Sequence, residues 1–172
     1  VARYVYASDE TRSDPDGPDP VSKAYLHVVD PETGSVISHD RTQDGDGRPH
    51  QRGIEVTWGC VGVEGADAEY DFWRMDAGES IVHREFAGSL ETFSAEKTIV
   101  SELEWLAPDG SVVLEETREM TFVEPPPSPG SVVQIDLETT LSATDRAVVL
   151  DFCHGLDDPG TEPYGGVRWS AH

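Results

Sequence analysis

The chain has 172 residues, one domain's worth. It is 37% hydrophobic, with no apolar run near the ~20 residues of a spanning helix. Its 34 acidic residues outnumber 12 Lys and Arg, and the resulting net charge of −22 repels nucleic acid and anionic membranes, which excludes both as partners. An acid-rich surface with only two lysines, Lys23 and Lys97, suits a high-salt setting where screening removes self-repulsion; extracellular and cytoplasmic locations both stay open.

Ala2 to Tyr6 alternates in the manner of a half-buried strand. Ser13 to Pro20 is a loop of Pro, Gly and Asp. Lys23 to Val29 reads as a strand with Tyr25 and His27 on one face and Ala24, Leu26 and Val28 on the other. The turn Asp30-Pro31-Glu32-Thr33-Gly34 brings Ser35 to Ser38 back as a hairpin. A second Asp/Gly loop, Asp44 to Gly47, leads into Arg48-Pro49-His50-Gln51-Arg52-Gly53, where loop gives way to strand.

Ile54 to Val63 is β-branched and apolar, with bends expected at Gly59 and Gly62. Asp71 to Trp73 and Ser80 to Phe86 are expected as short strands. Thr98 to Leu106 fits a helix as well, through Ala95, Ile99 and Leu103. The turn signature Ala107-Pro108-Asp109-Gly110 decides for a strand that leads into another, Ser111 to Glu124. Along that strand Glu115 and Arg118 fall on opposite faces. Ser131 to Ala143 and Arg146 to His154 are expected to pair with each other across Thr144-Asp145, and Tyr164 to Trp169 is the last strand. Some ten short strands and no helix of three turns predict a single all-β domain over 1–172, an antiparallel β-sandwich.

Cys60 and Cys153 are the only cysteines, and without CxxC they offer neither a zinc ribbon nor a dithiol redox motif. Each is read either as a small buried hydrophobe or as half of a single disulfide. The stretch from Arg48 to Trp73 concentrates the chemistry: His50 and Arg52, then Tyr70-Asp71-Phe72-Trp73 with aromatic faces and a carboxylate. Such groups together are the ingredients of a polyol pocket. Sugar chemistry needs an acid and a base on opposite sides of a ring, and the histidines His27, His50 and His83 are the candidates. Asp71, Glu115 and Asp136 are candidate carboxylates, and Arg52, Arg118 and Arg168 are candidate bidentate clamps. The three histidines lack metal-ligand spacing, and the Asp loops lack a full calcium ligand set. No phosphate loop or G-x-S-x-G is present, so the expected chemistry needs no metal or cofactor.

These stretches resemble the "methane oxygenase PmoA-like" domain family. The residues that carry the resemblance are Ala24-Tyr25-Leu26-His27, Arg48 to Gly53, Asp71-Phe72-Trp73 and Ser80-Ile81-Val82-His83. Trp105 with Asp109-Gly110, Leu114 to Arg118, Ile135-Asp136 and Gly165-Gly166-Val167-Arg168 follow in order. The resemblance implies a sandwich of the galactose-mutarotase type and, by association, a sugar-like ligand. On the residue chemistry given above, catalytic roles are expected for His50, Arg52, His27 and His83, and substrate binding for Tyr25, Trp73, Asp71, Glu115, Arg118 and Arg168. The family's His-His pair is His50-Gln51 here, and members continue beyond the closing Gly-Gly-Arg. A partner chain or self-association completing the sheet beside residues 164–170 is therefore expected.

Three functions follow as expectations. One is an enzyme acting on a sugar or sugar acid by acid–base chemistry. Another is a carbohydrate-binding module stacking ligand on Trp58, Trp73 and Trp105, and the third is an assembly protein. As residues at a loop-to-strand junction, His50 and Arg52 are expected to contribute little to folding.

Overall fold

The computed structural model describes residues 2–6, 23–30, 32–38, 52–66, 69–88, 96–123, 134–151 and 165–169, the last segment and Glu96 by backbone alone. The expectations at His50, at the loops Ser13 to Pro20 and Asp44 to Gly47, and at Cys153 lie outside these residues. The described chain is all-β, with antiparallel sheets and no helix. It comprises β1 (Ala2–Val5), β2 (Tyr25–Val28), β3 (Ile54–Trp58), β4 (Cys60–Val63), β5 (Glu69–Tyr70), β6 (Ser80–Ala87), β7 (Glu96–Leu106), β8 (Val112–Val123), β9 (Gln134–Ala143), β10 (Val148–Asp151) and β11 (Gly165–Trp169).

The first sheet has the order β1-β2-β3-β11, the second β10-β4-β5 and the third β6-β7-β8-β9. Only Gly59 separates β3 from β4, so one bent strand path passes from the first sheet into the second. The break expected at Gly59 is present, whereas Gly62 stays inside β4. Val56, Val61, Val63 and Ala24 pack with Ile81, Leu103, Trp105 and Leu114 in one core, so the first two sheets cover the third. Trp105 is fully buried, its ring centroid 5.0 Å from that of Phe72. This is the sandwich that the strand spacing predicts.

Two pairings differ from expectation. β9 pairs with β8 along ten residues, Leu114↔Ala143 to Val123↔Gln134, and not with β10. β10 crosses to the second sheet and pairs with β4, from Val148↔Val63 to Asp151↔Cys60. The reason is burial: Val148 and Leu150 alternate into the core, which a third-sheet edge beyond β9 would leave them without. Asp71 to Trp73 is a turn and not a strand. Asp71 Oδ1 accepts from the backbone N–H of Trp73 and of Arg74, both at 2.9 Å, and an aspartate satisfying two amides this way specifies a turn. The same turn places Met75 at φ 60°, with its side chain anchored in the core.

The hairpin after β2 forms as expected, with Val29 bridged to Val36 and Ile37 N–H donating to Val28 O at 2.9 Å. Asp30 Oδ1 accepts from the N–H groups of Glu32 and Thr33, which holds its carboxyl below the usual carboxylate range. Cys60, at the start of β4, is disulfide-bonded.

Candidate functional site

Register decides which predicted site residues can meet, because directly opposed residues in an antiparallel ladder share a face. Tyr25 opposes Glu55, and Glu55 opposes Arg168 on its other side, so these three form one row across the first sheet. His27 lies two residues on from Tyr25 and therefore on the same face. Thr57 joins them from β3. The opposite face carries Ala24, Val56, Tyr4 and Trp58 into the core. The first sheet thus has an apolar inner face and a polar outer one.

An outer face ordinarily meets water, yet this one is buried. Glu55 is 0% exposed, Tyr25 5%, His27 4% and Arg52 6%. Lys23 joins them at 2%, with Nζ 2.7 Å from Glu55 Oε2. The same ammonium donates to Trp73 O at 3.0 Å, which ties the 71–79 turn onto the face. Burial pushes Lys23 below the usual lysine range, and the neighbouring Glu55 carboxylate opposes that shift. The Arg52 guanidinium lies 5.4 Å from the Tyr25 ring centroid, a cation–π contact. Tyr25 in turn meets the His27 ring edge-on at 5.0 Å. His27 Nδ1 is 3.1 Å from Ser38 Oγ, which orients the imidazole. Gly53, beside Arg52, has φ +46°, and a Cβ there would fall 2.0 Å from Leu26 O. Only glycine lets β3 start this close to β2, and this approach places Arg52 over Tyr25.

The structure therefore brings together Tyr25, His27 and Arg52, with Trp73 and Asp71 at the margin and Arg168 in the same row by register. It corrects the expectation that Arg52 is a loop residue of little structural weight, since the side chain is buried and stacked. Glu115 is exposed on the outer face of β8 and Asp136 on that of β9, where it accepts from Gln134 Nε2, so neither carboxylate reaches this group. Trp73 and Trp105 are buried, and Trp58 is half-buried and donates to Asp151 O at 3.1 Å. Burial removes Trp73 and Trp105 as exposed stacking platforms.

His83 and Arg118 belong elsewhere, on the inner face of the third sheet. Arg118 donates through Nε to Glu116 Oε1 at 2.6 Å and through Nη2 to Oε2 at 3.0 Å, a bidentate buried pair. Glu116 also accepts from Trp105 Nε1 and Thr139 Oγ1, each at 2.7 Å. Ser101, opposite Arg118 in register, has its Oγ 2.7 Å from His83 Nδ1 and 3.0 Å from Tyr4 OH. Burial raises the Tyr4 phenol above its usual range, with Arg118 opposing, and lowers His83. Rings of Tyr6 and Phe86 flank His83 at 4.4 and 4.3 Å. A shallow groove of about 540 Å³ lies over the second sheet, edged by Glu64, Glu69 and Val149, and none of the predicted residues lines it.

Lys23, Glu55 and Glu116 were not among the sequence-derived candidates. One of two lysines in an acid-rich chain, placed two residues before Tyr25, was the signal available for Lys23. A lone acid inside the β-branched run Ile54-Glu55-Val56 was the signal for Glu55.

Fold and site together define an all-β sandwich with a buried ionisable cluster on one sheet. The chain belongs to a family of unknown function, DUF6807, whose model matches residues 1–171. No curated protein and no solved structure matches it.

Proposed function

We propose that the polar face of the first sheet binds a sugar or sugar acid and acts on it by acid–base chemistry without a cofactor. The observation that supports this reading is the burial of Lys23, Arg52, Glu55, Tyr25 and His27 on one sheet face. Desolvating ions costs several kcal/mol each, and apolar side chains would cover a sheet more cheaply, so such a set is more at home in a site than in a scaffold. The resemblance to PmoA-like domains of the galactose-mutarotase type points to the same ligand class. In this reading His27 transfers the proton, its ring held by Ser38. Arg52 supplies edge donors to a carboxylate or to paired hydroxyls while its face rests on Tyr25. Glu55 and Lys23 set the local field as a coupled pair.

The test is a panel of aldoses, uronic acids and aldonic acids, followed by NMR for binding and for solvent-proton exchange at the anomeric and α carbons. Exchange is expected for one class, with His27→Ala lowering its rate about 100-fold or more, in keeping with the usual contribution of a positioned acid or base. Arg52→Ala is expected to weaken binding of the acids most. Binding and exchange absent across the panel, or His27→Ala matching the parent, would sink the proposal.

A further inference from the structure

A buried ion pair on the inner face of a sandwich calls for an explanation, because apolar residues of similar volume usually serve stability as well or better. Glu116 stands between Leu103 and Leu141 in register, and Leu114 and Met120 flank the pair on β8, whereas Ser101 and Thr139 oppose Arg118. Both side chains are buried, and the Glu116 carboxylate accepts from Arg118, Trp105 and Thr139. A guanidinium locked in this way has a fixed direction. Its remaining nitrogen, Nη1, crosses the sandwich and donates to Ala24 O at 3.1 Å.

Ala24 is the residue between Lys23 and Tyr25. It faces inward and is 0% exposed, while its two neighbours project to the other side of the sheet. Holding its carbonyl therefore holds the peptide units that aim Lys23 at Glu55 and Trp73 O, and Tyr25 at Arg52 and His27. We propose that Arg118 and Glu116 are positioning residues of the polar face, acting from beneath the sheet by fixing the backbone that leads into β2. That the face is a ligand site is the reading given above; the anchoring itself stands on the hydrogen bonds.

The chain's two lysines make this testable without a ligand, because side-chain NMR of labelled lysine gives one signal each for Lys23 and Lys97. In Arg118→Met/Glu116→Leu the melting midpoint should stay within about 5 °C of the parent, a small shift for a domain of this size. The Lys23 signal should nevertheless move toward that of a solvated lysine and its titration midpoint should rise, while Lys97 on β7 stays in place. Arg118→Gln/Glu116→Gln, which keeps amide partners for Trp105 and Thr139 but not the reach to Ala24, should show the same change in Lys23. Thr139→Val removes one Glu116 contact and leaves the Ala24 bond, so Lys23 should not respond. An unchanged Lys23 in either folded double variant would overturn the proposal, as would a response to Thr139→Val or failure of both double variants to fold. A moved Lys23 with undiminished binding of the sugar-acid panel would support the anchoring and remove the ligand reading instead.

Discussion

His83 shares residue type and motif context with His27, yet the fold gives it a different neighbourhood. Its Nδ1 sits 2.7 Å from Ser101 Oγ, between the rings of Tyr6 and Phe86, and burial holds its pKa below the usual value. The unfolded chain therefore takes up a proton first as pH falls below about 6.5. His83 adds no penalty above that pH and costs stability progressively as pH drops toward its folded value. His83→Asn should flatten this part of the acid limb, measured as unfolding midpoints between pH 7.5 and 5; curves of equal slope for parent and variant would refute it. At this scale the sequence was half legible. Alternation correctly placed Tyr25 with His27, and Glu115 opposite Arg118, because period 2 is local information. It could not reveal that an outer face would be buried, so Lys23 and Glu55 were not singled out. Nor could it separate His83 from His27, since that depends on which sheet each strand joins.

The way β2 meets β3 shows how elements share one constraint. Gly53 lets β3 begin beneath the Leu26 carbonyl, and a Cβ placed there would fall 2.0 Å from that oxygen. Gly53→Ala combines this overlap with a left-handed backbone costing roughly 1–2 kcal/mol, so a loss beyond about 2 kcal/mol is expected in denaturant unfolding. A loss well under about 1 kcal/mol would mean that β2 and β3 part easily at this point. Element identity was read well where turns punctuate the chain. β7 came out as a strand against a competing helical phase because Ala107 to Gly110 forms the tight turn its residues specify, with Ala107 N–H donating to Ser111 O at 2.9 Å. Pairing was read less well. β9 and β10 adjoin in sequence, but burial of Val148 and Leu150 sends β10 to another sheet. The expected strand at Asp71 to Trp73 failed because the Asp71 carboxylate serves the backbone amides of a turn, a use that residue type alone does not declare.

For the whole molecule, the net charge of −22 acts mainly through the surface, since the Lys23–Glu55 and Arg118–Glu116 pairs are shielded from solvent. Unfolding midpoints should rise from low to molar sodium chloride, where the Debye length falls to roughly 3 Å. Midpoints that stay flat or fall would show that self-repulsion contributes little. The two layers also differ in how far their pairings reach along the chain. Every neighbour in the third sheet is consecutive in sequence, whereas β3 pairs with β11 and β4 with β10. During synthesis the consecutive strands can zip together soon after they leave the ribosome, as local contacts do. β3 and β4 must wait, each with one side open, until β11 and β10 have been translated. Among the described strands, the first sheet with its ionisable face is consequently completed after the third, so its charges keep their water while β11 is still to be made. Throughout that interval, the mutual repulsion of acidic nascent chains keeps the open strand sides of neighbouring polypeptides apart.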